Sequence, residues 1–155
     1  MKNRKRGFSL VELLIVLAVI AALIATITPV ALNAIRKSQA TKVAQNIKTL
    51  ASSFENLLYV EGKSGIPSDI SGLGRDIDET KYNIAYSTTD NGGYEVYVWT
   101  SEEAHEDTLV NVLPSAKKAP VGGIASLVTG FEKPNLGGTN AASATYYYSY
   151  TFIVY

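Results

Sequence analysis

The chain has 155 residues, a length that suits one small domain plus an anchor. Lys and Arg together number 14, as do Asp and Glu, so the formal net charge is zero. This balance argues against a broad nucleic-acid surface, which needs clustered basic residues. The absence of cysteine excludes disulfides, thiolate metal sites and c-type haem attachment. His105 is the single histidine, so metal sites built on several imidazoles are also excluded.

A basic leader precedes a long apolar run. From Leu13 to Ile35 there are 23 residues without a charge, which as a helix can cross a bilayer core of about 30 Å. The length of this run predicts one membrane span, and the positive-inside rule leaves the first residues in the cytoplasm. A signal peptide has a shorter apolar region and a small-residue cleavage site, neither of which is found here. The basic side chains of the leader are Lys2, Arg4, Lys5 and Arg6.

One acid, Glu12, lies at the start of this apolar run. A simple signal anchor tolerates it near the membrane surface but gives it no role. If the chain were cut after Gly7, Phe8 would carry a new α-amine four residues before Glu12. In a stack of copies with a fixed axial offset, Glu12 can neutralise the Phe8 amine of the next chain, so neither charge stays unpaired in an apolar core. We therefore predict that Glu12 sets the register of an assembly.

Gly7 followed by Phe8-Ser9-Leu10-Val11-Glu12-Leu13-Leu14-Ile15-Val16-Leu17 resembles the class III signal sequence of type IV pilins and the related pseudopilins. The resemblance implies that a membrane peptidase cuts after Gly7 and methylates Phe8. It also implies that Glu12 is the assembly residue and that Pro29 bends or loosens the helix. Many pilins close their carboxy-terminal region with a disulfide, from which this cysteine-free chain departs.

The function that the resemblance implies is a structural subunit, with no enzymatic activity, catalytic residue, cofactor or metal. The precursor is expected in the cytoplasmic (inner) membrane, and the assembled homopolymer at the cell surface as a pilus for adhesion, motility or DNA uptake. Implied partners are a prepilin peptidase and methyltransferase, an assembly ATPase and a platform protein. A pseudopilin of a type II secretion system, a DNA-capturing competence pilin and a monomeric anchored domain remain alternatives. Nucleic-acid binding has no support from the charge.

The helical pattern continues beyond Pro29. A proline inside a helix removes one hydrogen bond and favours a kink, while the hydroxyls of Thr26 and Thr28 can bond back to nearby carbonyls and soften the same turn. We predict a helix from about Phe8 to about Val60. Its second half has an apolar stripe that should pack on a sheet, formed by Val43, Ile47, Leu50, Phe54 and Leu57.

The remaining sequence is typical of a loop followed by strands. The Gly and Pro content of residues 61–68 ends the helix, and the acids of residues 75–79 indicate a solvated loop more than a cation site. Alternating residues around the turn Asp90-Asn91-Gly92-Gly93 predict a hairpin of residues 82–87 and 94–99. Residues 146–155 predict a terminal strand, and residues 121–131 a further weak strand.

The predicted fold class is α+β: a long amino-terminal helix packed on a small antiparallel sheet, as in pilins. Ten Tyr are unusual for this length, and we expect them mainly in the sheet core and between subunits, with surface binding as the alternative. The acidic neighbours of His105 indicate a solvated segment. The predicted boundaries are a removed leader at 1–7, a membrane and filament-core helix half at 8–35, an amphipathic half at 36–60, a loop at 61–80 and a head at 81–155.

Overall fold

The computed structural model describes residues 7–133 and 135–154, and divides the chain into two compact units between Arg36 and Lys37. Helix α1 runs from Leu10 to Glu61 and is continuous through Pro29. A short 3-10 turn, Gly62–Gly65, follows it. The predicted long helix is thus confirmed to within two residues at its start and one at its end. The leader residues 1–6 lie outside the described residues.

Hydroxyl groups beside Pro29 bond to the helix backbone as expected. Thr26 Oγ1 donates to the carbonyl of Leu23 at 2.9 Å, and Thr28 Oγ1 donates to the carbonyl of Ile24 at 2.7 Å. Such bonds supply carbonyls of this turn with a second donor. The bend at Pro29 stays a prediction.

In the unit that begins at Lys37, helix α1 contributes one buried stripe to the main core. The stripe follows the predicted period, except that Leu58 is fully buried where the sequence indicated Leu57, which is only partly buried. The hydroxyl of Tyr150 donates to the carbonyl of Ala51 at 2.7 Å and ties the helix to the sheet. The buried helix residues are Ala40, Val43, Ala44, Ile47, Leu50, Ala51, Phe54 and Leu58.

The sheet has four antiparallel strands. Strand β1 (Tyr82–Thr88) and strand β2 (Gly93–Thr100) form the predicted hairpin, with Tyr82 opposite Thr100. Strand β4 (Tyr146–Ile153) pairs with β2 along its whole length, which confirms the predicted terminal strand. The order across the sheet is β1-β2-β4-β3, where β3 is Ala116–Lys118. The α+β fold class predicted from the sequence is therefore correct.

The segment between β2 and β4 differs from the sequence prediction. It holds a short helix α2 (Glu106–Val112) and β3, neither of which the sequence indicated. The predicted strand at residues 121–131 is wrong, because this segment consists of turns. Gly123 has a φ of 76°, and a Cβ there would collide with the backbone of residues 141 and 142.

These turns cover the face of the sheet opposite helix α1. Ile124 and Val128 form a second buried cluster with Ala85 and Trp99, which project from that face. Both faces of β1 are therefore buried from Tyr82 to Tyr86. Tyrosines fill the core as expected, with Tyr82, Tyr86 and Tyr146 buried. Tyr155 lies outside the described residues.

The outer edge of β1 is covered by the segment 135–139, held by the fully buried Asn83. Its Oδ1 accepts the N–H groups of Leu136 at 2.9 Å and Gly137 at 2.5 Å. Its Nδ2 donates to the carbonyl of Thr139 at 2.6 Å and to the side chain of Asn135. We call this set of bonds the Asn83 clamp. It ties the segment to β1 in a chain that has no cysteine to form a disulfide.

Candidate assembly site at the amino terminus

Every described residue from Gly7 to Gln39 is exposed. The large apolar side chains include Phe8, which is 80% exposed, and Leu10, which is 76% exposed. By length and composition alone, α1 is the one helix among the described residues that could cross a membrane. Side chains of this kind gain stability only when lipid or protein covers them. This half of the helix therefore needs an apolar environment that the chain itself does not supply.

Glu12 lies in the first turn of α1 and bonds to the residue that caps the helix. Glu12 Oε2 accepts the backbone N–H of Ser9 at 2.9 Å, and Ser9 Oγ accepts the N–H of Val11 at 3.3 Å. The carbonyl of Ser9 accepts the N–H of Leu13 at 3.2 Å. This reciprocal pattern is a capping box, in which residues of the type Ser-x-x-Glu satisfy N–H groups that the helix leaves unpaired.

In the isolated chain Glu12 has a structural role as part of the capping box, which the sequence analysis did not predict. The spacing Ser9-x-x-Glu12 was the signal that could have revealed it. A carboxylate at this position also interacts favourably with the positive end of the helix dipole. One carboxylate oxygen bonds to the helix terminus, and the side chain as a whole is exposed. Glu12 can therefore accept a further donor without leaving the helix.

The predicted processing residues precede the helix. Gly7 and Phe8 are exposed and lie outside regular secondary structure. A Cβ built on Gly7 would have no heavy atom within 4 Å, so nothing in the fold requires glycine at this position. Phe8 lies just before the turn that contains Glu12, whereas Pro29 lies far along the same helix. The structure thus groups Gly7, Phe8 and Glu12, but not Pro29.

Other polar groups are engaged in structural contacts. The buried Tyr82 hydroxyl donates to Glu102 and accepts from Asn46 Nδ2 at 3.2 Å, and burial raises the pKa of Tyr82. Lys81 Nζ lies 3.2 Å from Glu102 Oε1. Lys81 and Glu102 border an open cavity of about 470 Å³ at the side of helix α1. The carboxylate at its rim is thus paired with a lysine and a tyrosine.

Among the described residues, no three His, Asp or Glu side chains are grouped so that they could hold a metal ion. Asp78 Oδ1 accepts the N–H of Thr80 at 3.0 Å, and the bonds from Thr80 lower the pKa of this exposed carboxyl. His105 is exposed, precedes α2, and has Nδ1 3.1 Å from Thr108 Oγ1. Asp78 and His105 are thus exposed, as the sequence predicted for the two acidic segments in which they lie.

The amino terminus of the chain resembles a known family. Residues 2–28 match the family described as "Prokaryotic N-terminal methylation motif". The chain also resembles Fimbrial protein Q of Moraxella bovis, with 33% identity over 87 residues. The match covers 56% of this chain and 51% of the relative, so the chain spans about half the length of the curated relative. No solved structure matches the chain.

The resemblance to type IV pilins is thereby confirmed. The methylation motif includes the first part of a helix that is apolar enough to span a membrane, and this helix continues into an α+β head of pilin type. These features are those of a pilin-like or pseudopilin-like architecture.

Proposed function

We propose that the chain is the structural subunit of a type IV pilus. In this proposal it enters the cytoplasmic membrane as a prepilin with its amino terminus in the cytoplasm. A prepilin peptidase cuts between Gly7 and Phe8 and the new amine of Phe8 is methylated. The mature helix then leaves the lipid and joins the core of a helical filament.

The observation that carries the proposal is the exposed apolar helix whose first part lies within the methylation motif. From Leu10 to Ile35 its large apolar side chains are 46% exposed or more. In the membrane, lipid covers these side chains, and in a filament, helices of other copies would cover them. Because lipid and protein are similarly apolar, assembly gains stability from packing and charge pairing more than from escape from water. Assembly therefore needs a motor, for which an ATPase and a platform protein are the proposed partners.

Glu12 supplies the charge pairing in this proposal. One carboxylate oxygen bonds to the N–H of Ser9 in the same chain. The same carboxylate can meet the Phe8 amine of a neighbouring copy, because the capping box leaves the side chain at the exposed surface of the helix. Within an apolar filament core, an unpaired ion would cost several kcal/mol, on the order known for buried charges. The pairing would therefore select one axial offset between subunits.

Mass spectrometry of the mature protein tests the processing step. We expect a chain that begins with methylated Phe8. The variant Gly7→Val should remain uncut while folding normally, because a side chain at this position meets no neighbouring atom. Surface protein that still begins with Met1, or a Gly7→Val chain that is processed like wild type, would contradict the proposal.

Electron microscopy separates a pilus from the pseudopilin alternative. The fimbrial relative favours long surface fibres, whereas a pseudopilin would build a short structure within the envelope.

The net charge of the mature chain bears on the DNA-binding alternative. Removal of the leader leaves ten basic side chains against 14 acids, a formal net charge of about −4. A competence pilin would bind DNA with a strong salt dependence, and we expect no such binding from an acidic chain.

A further inference from the structure

On the side away from β2, strand β4 is paired with another strand over only part of its length. Strand β2 pairs with all eight residues of β4, but β3 pairs only with Tyr146–Tyr148. The other edge of the sheet, β1, is covered by the bridge between Tyr86 and Lys133 and by the Asn83 clamp. Within the described part of the chain, no strand pairs with Ser149–Ile153 on the outer side. We call Ser149–Ile153 the open edge.

The register shows which backbone groups face outward. The bonds from Thr89 N to Gly93 O at 2.8 Å and from Ser101 N to Lys81 O at 3.0 Å fix the hydrogen-bonded pairs of β1 with β2. Because these pairs alternate, the even-numbered residues of β2 bond to β4, and their partners in β4 are the even-numbered residues 146–152.

The odd-numbered residues of β4 therefore point away from β2. The bond from Ala119 N to Thr145 O at 2.8 Å, on the β3 side, agrees with this assignment. In the open edge these residues are Ser149, Thr151 and Ile153. The carbonyl of Ile153 has one long contact, from the hydroxyl of Tyr59 at 3.4 Å. The open edge thus offers strand donors and acceptors in a regular row.

The sequence of the open edge carries none of the usual protection. Proteins block exposed strand edges with lysine, proline or a covering segment. Lys117 and Lys118 are exposed on β3 and protect that strand, but residues 149–153 read Ser-Tyr-Thr-Phe-Ile, without charge or proline. Thr151 is exposed, and Ile153 is 45% exposed. The edge is therefore chemically suited to accept an antiparallel strand.

We propose that the open edge pairs with the open edge of a second copy of this chain. A two-fold axis at Thr151 places this residue opposite its own equivalent, and places Ser149 opposite Ile153 of the other copy. Three pairs would then exchange two hydrogen bonds each. Threonine opposite threonine is a favourable cross-strand pair, and no like charges meet. The sequence of the open edge is thus complementary to itself, as a two-fold interface requires.

The second copy is the occupant that the observations favour. The open edges of two copies have the same length, so their backbone groups can pair along all five residues. Because the open edge carries no charged residue, it has no electrostatic attraction for an acidic or basic partner. The contact uses the head and is separate from the contacts of the apolar helix. It therefore does not depend on the filament proposed above, and a filament variant such as Glu12→Ala should leave it intact.

Charge substitutions at Thr151 test the pairing in the full chain, purified in mild detergent. Thr151→Lys and Thr151→Glu each place like charges opposite each other at the two-fold axis. Sedimentation velocity should show dimers of the wild type, and dimerisation of each variant alone at least about tenfold weaker. A mixture of the two variants should recover dimers. Thr88→Lys is the matched control, since Thr88 is exposed on the covered strand β1, and it should behave as wild type.

Cross-linking gives an independent measurement. The chain has no cysteine, so Thr151→Cys introduces a single thiol. A short bis-maleimide should join two copies through Thr151→Cys but not through Thr88→Cys. The proposal is overturned by a wild type without dimers, by equal effects of the Thr151 and Thr88 variants, or by a Lys and Glu mixture that recovers nothing.

Discussion

Replacement of Asn83 by alanine should unfold the head at much lower denaturant concentration. Asn83 is fully buried and is the centre of the clamp between β1 and the segment 135–139. Alanine removes both the acceptor and the donor of this side chain. The backbone groups that it satisfied then remain buried without their partner, which is costlier than loss of the bonds alone.

The size of the effect follows from which groups lose their bonds. The N–H of Leu136 keeps a second acceptor, the carbonyl of Ile84 at 3.0 Å. The N–H of Ile84, the N–H of Gly137 and the carbonyl of Thr139 lose the bonds that Asn83 provides, at 2.7 Å, 2.5 Å and 2.6 Å. With at least about 1 kcal/mol for each unsatisfied group, Asn83→Ala should lower the free energy of unfolding by at least about 3 kcal/mol.

Urea unfolding in mild detergent measures this loss through the fluorescence of Trp99. This residue is the only tryptophan and is fully buried in the same unit. The control is Asn56→Ala on the exposed face of α1, which should change the free energy of unfolding by no more than about 0.5 kcal/mol. If Asn83→Ala destabilised the head as little as this control, the clamp would have no stabilising role.

Three further predictions concern hydroxyl groups. Tyr150→Phe should lower the free energy of unfolding by about 1 kcal/mol in the same urea assay, because the bond to the Ala51 carbonyl is lost; an unchanged midpoint would refute it. Burial raises the pKa of Tyr82 and Tyr150, so the folded state keeps them neutral. In the unfolded chain tyrosine ionises at about pH 10. The contribution of the two neutral tyrosines to the free energy of unfolding is therefore complete below that pH and is lost as the pH rises further. A midpoint of thermal unfolding that is constant between pH 9 and about 11 would contradict this. Ser9→Ala should destabilise the first turn of α1 by about 1 kcal/mol, measured as faster amide exchange of Val11, and equal exchange rates would exclude the cap.

Elements with a strong period could be predicted from the sequence. The apolar stripe of α1, the turn at residues 90–93 and the β-forming residues of β4 each carry a local signal, and each element lies where that signal placed it. Strand β3 has only three residues, and its pairing with Tyr146–Tyr148 depends on a partner far along the chain. No local pattern of three residues can indicate such a pairing.

Contacts with distant parts of the chain also explain why the strand predicted at residues 121–131 was wrong. Val121, Ile124 and Val128 resemble a weak strand, but glycines with positive φ turn the backbone so that Ile124 and Val128 reach the cluster around Trp99. Burial of these side chains against the sheet decides their conformation. The capping box is the opposite case, because Ser9-x-x-Glu12 is a local signal and was readable from the sequence.

The most direct test of the account compares Glu12→Gln with Glu12→Ala in filament assembly. Glutamine can keep the bond to the Ser9 N–H, since Gln also serves in a capping box, but it removes the charge. Alanine removes both. We expect both variants to insert and to be cut after Gly7, yet to yield few filaments by electron microscopy. Filaments at the wild-type level from Glu12→Gln would show that Glu12 acts as a helix cap alone, and would contradict charge pairing between subunits.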